Sequence, residues 1–246
     1  MRVATRRTAV ATATAMVAML SLTACFIPGP PPVPQPTPIA PIEPVGDGQT
    51  IGGEVREGRV PSGGTVAVDL VLDERAAVLI GATSTDDEDL TLLLEGEGIE
   101  LDNDDGRREP DAFAFPLASN YDPVIGAVLE PGAYTITVGE WGDDASGFQL
   151  QVLTGTLAVE VGSTTPLQVG PGEPALVMLP AESQYATVSD PAGVRSWVTS
   201  TDQRYGITDE GLSGERLPLP GGEGRLLVVH REQGSTQSGT VELTIE

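Results

Sequence analysis

The sequence predicts an all-β chain: two tandem antiparallel β-sandwiches, jelly-roll-like, behind a Pro-rich linker. Three observations predict it. Apolar residues recur at every second position in short runs, the signature of half-buried strands. Clusters of Gly, Pro and Asp separate those runs and reverse the chain. Windows of about 11 residues with helical spacing are all interrupted by Gly or Pro.

Taken in order, Val66, Val68 and Leu70 share one face of an extended run, as do Tyr134, Ile136 and Val138. Phe148, Leu150 and Val152 form another such face, and so do Val241, Leu243 and Ile245. Turns fall at Pro61-Ser62-Gly63-Gly64, Glu95-Gly96-Glu97-Gly98, Pro131-Gly132, Pro171-Gly172 and Pro220-Gly221-Gly222. Residues 47–154 read as the first sandwich and residues 155–246 as the second, a diverged copy or merely another sandwich. Each half closes with two Gly-introduced strands joined by a short polar loop, Gly132–Val138 with Gly147–Val152 and Gly221–Val229 with Gly239–Ile245. Each pair is expected to form an antiparallel hairpin.

Ahead of the sandwiches, Leu22-Thr23-Ala24-Cys25 holds the single cysteine of the chain. It follows an uncharged Ala/Thr-rich run of about 15 residues behind Arg2, Arg6 and Arg7, too short to span hydrocarbon as a helix. This arrangement resembles the lipobox of bacterial lipoproteins. The resemblance implies that residues 1–24 are a signal peptide, that Cys25 becomes the lipidated N-terminus, and that the palmitate-type acyl chains anchor the protein to a membrane on its non-cytoplasmic side. Arg6-Arg7 hints at a twin-arginine signal, but Ala9 and Val10 fit an ordinary basic leader better. Residues 25–46 form the linker. Nine of the 17 residues from Pro28 to Pro44 are proline, which demands extended polyproline II and makes a spacer roughly 50 Å long at about 3.1 Å per residue.

Charge limits the partners. The formal net charge is −23, and removing Arg2, Arg6 and Arg7 with the leader takes it to −26. Nucleic acid is thereby excluded as a ligand, because phosphate binding needs clustered basic residues. A membrane reached through lipid, a cell-wall glycan or another envelope protein are the partners left.

The first half also resembles the bacterial pre-peptidase C-terminal domain. The residues that carry the resemblance are the acidic-led strand Asp87–Leu94, the turn Asp102-Asn103-Asp104-Asp105, the Gly132-Ala133-Tyr134 strand and the last strand opening Gly147-Phe148. It covers roughly residues 47–154, and it implies a β-sandwich that accompanies a catalytic unit without being one. The second half lacks the Asp-rich turn and the Tyr.

Chemistry has few candidates. His230 is the only histidine, so zinc, which recruits several His or Cys ligands, is not expected. Ser213 in Gly211-Leu212-Ser213-Gly214 does not fit a nucleophile elbow. Two acidic clusters flank one apolar stretch, and a hairpin would bring them to one end. Asp87, Asp89, Asp102, Asp104 and Asp105 are then either oxygen ligands for calcium or solvated turn residues. The second cluster is no EF-hand loop, since its Gly comes one position early and Phe113 stands where the bidentate Glu belongs. Trp141, in the loop Gly139-Glu140-Trp141-Gly142-Asp143, is a candidate sugar platform, whereas Trp197 reads as packed. The expected function is a non-catalytic, membrane-anchored envelope binding module, steadied by calcium or without any cofactor. The alternatives are a polysaccharide-binding protein using Trp141 and a carboxylate-dependent hydrolase.

Overall fold

The computed structural model describes residues 53–105, 112–115, 117, 121–189, 194–200, 209–212, 214–231 and 235–246. Residues 1–24, Cys25, the Pro-rich segment 28–44, Gly106 and Ser213 lie outside the described residues.

The first half comprises β1 (Arg56–Val60), β2 (Val66–Leu72), β3 (Ala76–Ser84), β4 (Leu90–Gly96), β5 (Ile99–Asn103), β6 (Val124–Leu129), β7 (Gly132–Glu140) and β8 (Ser146–Gly155). The second comprises β9 (Thr164–Val169), β10 (Ala175–Leu179), β11 (Tyr185–Ser189), β12 (Val194–Ser200), β13 (Asp209–Leu212), β14 (Arg216–Pro218), β15 (Arg225–Arg231) and β16 (Gly239–Ile245). All the pairings between these strands are antiparallel. The all-β expectation holds. Turn chemistry sets the local geometry: β4 and β5 are joined by Glu97 (φ 48°) and Gly98 (φ 83°), and two successive positive φ values are what a two-residue type I′ hairpin requires.

Four sheets result, with orders β2-β7-β4-β5, β1-β8-β3-β6, β10-β15-β12-β13 and β14-β11-β16-β9. We call them sheets I to IV in that order. Adding eight to each strand number of sheets I and II reproduces sheets III and IV, so both halves have the same eight-stranded jelly-roll topology. The closing strands do not form the expected hairpins. β7 lies in sheet I and β8 in sheet II, and β15 and β16 are likewise split between sheets III and IV. Their burial explains this: β7 largely alternates while β8 is buried at nearly every position, so they belong to sheets with different surroundings.

Three apolar clusters fill the spaces between sheets. Val68, Leu92 and Ile136 of sheet I meet Val78, Ile80 and Leu150 of sheet II. Val177, Leu227 and Val229 of sheet III meet Leu167, Val188 and Leu243 of sheet IV. The third cluster joins the two sandwiches: Leu79, Val128 and Leu153 of sheet II pack with Leu176, Met178, Trp197, Leu226 and Val228 of sheet III. The described strands thus stack four sheets deep, and the layering is written in the burial patterns. Strands β3, β6, β10 and β15, in the two inner sheets, are buried at every residue; β2 and β9, in the outer sheets, expose alternate positions. At the seam Gly126 is required, because a Cβ there would stand 2.7 Å from Thr199 Cγ2, and the Thr199 hydroxyl donates to the Gly126 carbonyl (3.2 Å).

Candidate functional site

One end of the first sandwich gathers the chemistry. In this topology the β1–β2, β3–β4, β5–β6 and β7–β8 connections emerge together, and hydrogen bonds tie them. Gly63 N–H donates to the Asp143 carbonyl (2.9 Å), Thr85 N–H to that of Gly147 (2.9 Å) and Trp141 N–H to that of Asp89 (2.9 Å). The β5–β6 connection is held by Asp122, which is buried and accepts from Thr83 Oγ1 (3.0 Å) and from Ser84 N–H (3.4 Å). Asn103 Oδ1 accepts from Val124 N–H (3.2 Å), closing that connection at the start of β6.

The β3–β4 turn is built on Ser84, whose Oγ accepts from Asp86 N–H (3.1 Å) and Glu88 N–H (2.9 Å). Asp87 follows with φ 61°, a left-handed conformation that Asp tolerates better than most side chains. Asp86 points back to the sheet: it accepts from Gly147 N–H (2.9 Å) and pairs with Arg59 (3.1 Å). The Gly147 hydrogen bond and then Arg59 hold its carboxyl below the usual carboxylate range.

Asp89 has the opposite environment. Burial, followed by the charges of Asp105, Asp104, Glu140 and Asp122, pushes its carboxyl above the ordinary value, and its buried Oδ1 has no hydrogen-bond partner among the described residues. Glu140 itself closes the β7–β8 loop, accepting from Gly142 N–H (2.8 Å) and Asp144 N–H (2.6 Å). So the fold brings Asp89, Asp104 and Asp105 into one electrostatic neighbourhood. It leaves the other two candidates outside: Asp87 is an exposed turn residue, and Asp102 lies on the outer face of sheet I, opposite Leu93. Among the described residues no three His, Cys, Asp or Glu side chains stand close enough to hold a metal ion.

Trp141 is 69% exposed at the start of the β7–β8 loop, where its backbone is pinned to Asp89. Trp197 is sealed in the seam at 1% exposure. His230 is also 1% exposed, and its Nδ1 lies 2.8 Å from the Arg231 carbonyl within sheet III. Sequence reasoning missed Asp122, Glu140 and Tyr121, the last 59% exposed beside Asp122. Glu140 adjoins the tryptophan that drew attention to this loop; Asp122 gave no signal, since nothing local distinguishes a buried loop Asp from a solvated one.

No family model matches the sequence, and no curated protein matches it. Solved structures do. The pre-peptidase C-terminal domain of collagenase from Bacillus anthracis matches with a TM-score of 0.32 and 13% identity, covering 41% of this chain and 88% of that one. A triple jelly-roll protein of an archaeal virus matches at 0.26 and 11%, covering 78% of this chain and 58% of that one. The CUB1-EGF-CUB2 domains of rat MASP-1 match at 0.24 and 9%, covering 77% and 96%. These similarities bear on no residue of the site.

Proposed function

We propose that this chain is a non-catalytic binding module of the cell envelope, anchored to a membrane through lipid on Cys25 and contacting surface polysaccharide with the loop end that carries Trp141. The observation behind this reading is the exposure of Trp141 on a loop fixed by the Trp141 N–H to Asp89 hydrogen bond. A large ring in water forgoes its burial, and a ring held by an anchored loop presents a flat apolar face without much loss of freedom on binding. Nearby carboxylates supply hydroxyl acceptors. A hydrolase reading has no help from His230, whose ring is enclosed in an inner sheet.

The test is retention of the chain, carrying Cys25→Ser so that it stays unlipidated, on insoluble peptidoglycan. Binding that Trp141→Ala removes supports the reading; passage of the parent protein through the glycan defeats it. A separate assay of membrane partition, parent against Cys25→Ser, tests the anchor.

A second reading, loop stabilisation by calcium, is favoured by the unpartnered Oδ1 of Asp89 amid like charges. The described side chains offer no ready-made cage, so the ion would draw on backbone oxygens and water as well. A thermal melt in EDTA and then in calcium checks it: a saturable rise in midpoint beyond that produced by magnesium supports it, and coincident curves dismiss it.

A further inference from the structure

We infer that Tyr121 is the second aromatic platform of the Trp141 site, and that the ligand is a glycan long enough to place a sugar ring on each. The inference rests on the polysaccharide reading above and adds a residue to it.

The distribution of rings across the chain carries the argument. Phe113, Phe115, Phe148, Tyr134 and Trp197 are buried, and Tyr185 is half-buried beneath the guanidinium of Arg216, 3.6 Å from its ring centroid. Among the described residues only Trp141 and Tyr121 are exposed aromatics, at 69% and 59%. They occupy different connections, β7–β8 and β5–β6, yet both leave the same end of the sandwich. Each ring also adjoins an acid that acts on Asp89: Glu140 precedes Trp141, and Asp122 follows Tyr121. The backbone beside each ring is tied to the sheets. Trp141 is tied by its own N–H, and Tyr121 is followed by the doubly bonded Asp122 and by Pro123, whose carbonyl accepts from Ala82 N–H (3.2 Å). A chain with 4% aromatic residues and three apolar layers to fill nevertheless keeps two rings exposed at one end of the sandwich, on either side of the β3–β4 connection. Stacking of sugar faces on those two rings would use both of them together.

The test compares the Cys25→Ser parent with Trp141→Ala, Tyr121→Ala and Tyr121→Phe by depletion onto insoluble peptidoglycan, with thermal midpoints as the folding control. Tyr121→Ala is expected to weaken binding about tenfold, while Tyr121→Phe, which keeps the ring, stays within about twofold of the parent. If Trp141→Ala releases the protein and Tyr121→Ala does not, the second platform is refuted and the proposed function stands. If neither ring matters, both fall. Binding that soluble oligolysine or moderate salt abolishes would assign the site to a cationic peptide and overturn the inference.

Discussion

Leu226 and Leu227 are neighbours on β15, both fully buried, and they point opposite ways: Leu226 into the seam between the sandwiches, Leu227 into the core of the second. Comparing Leu226→Ala with Leu227→Ala therefore measures whether the seam is packed like a core. Each change removes about three carbons' worth of buried surface, roughly 2.4 kcal/mol of transfer free energy at about 0.8 kcal/mol per methylene. The cavity term raises such losses toward about 5 kcal/mol where the surroundings cannot collapse, and the β-ladders on both sides of Leu226 restrain collapse. For a body of this size the smaller figure lowers the melting midpoint by about 5–10 °C. The assay is equilibrium denaturation of the Cys25→Ser chain by far-UV circular dichroism and by tryptophan fluorescence, since Trp197 lies in the seam and Trp141 in solvent. The two probes should trace one transition, displaced equally by both substitutions. Two separate transitions, or a Leu226→Ala cost well under about 1 kcal/mol beside a full cost at Leu227, would refute a seam of core quality.

Two other substitutions follow from the same structure. Asp89 has a carboxyl raised in the folded state, so it favours folding below its unfolded value of about 3.8 and loses that contribution as pH rises through the raised one. Asp89→Asn should consequently stabilise the protein at neutral pH and lose its advantage in acid; a constant difference across the pH range of a denaturation series would contradict this. Arg225, in the second half, is buried among the β10–β11 and β14–β15 connections, where its guanidinium donates to the carbonyls of Ser183 (2.9 Å), Pro180 and Pro220 and to Ser183 Oγ (2.7 Å). Burial lowers its pKa, and removing the cation leaves buried acceptors unsatisfied, so Arg225→Met should cost about 3 kcal/mol or more in urea denaturation, and a change under about 1 kcal/mol would show that the carbonyls find water instead.

Much of the fold was legible because half-buried strands announce themselves. Val66, Val68 and Leu70 alternate with Ala67 and Asp69, and the outer sheets repeat that pattern. The stacking of the two sandwiches was missed although its sign was present: Leu226-Leu227-Val228-Val229, Leu176-Val177-Met178-Leu179 and Ala77-Val78-Leu79-Ile80 are unbroken apolar runs, as strands covered on both faces must be. The closing strands were misread as hairpins because alternation reports which side chains are buried, not which strand lies beside which. Of the site, Trp141 was readable from its polar loop. Asp122 and the Tyr121 before it were not, since the place of Asp122 depends on hydrogen bonds to β3, 38 and 39 residues away in sequence.

The eight-strand offset between the halves has a consequence for assembly. Sheet II of the first unit receives sheet III of the second, and sheet III is the topological counterpart of sheet I. Such a head-to-tail joint uses two different surfaces, so its geometry supplies no natural terminus: counterparts of both mating surfaces recur at the extremities of the pile, ready in principle to recruit further molecules into a fibre. The chemistry of those outer faces differs from that of the seam. Asp69 on β2, Gln168 on β9, and Thr240 and Glu242 on β16 put exposed polar side chains on these outward faces, where the seam has Leu, Val and Trp, and such polar faces disfavour further stacking.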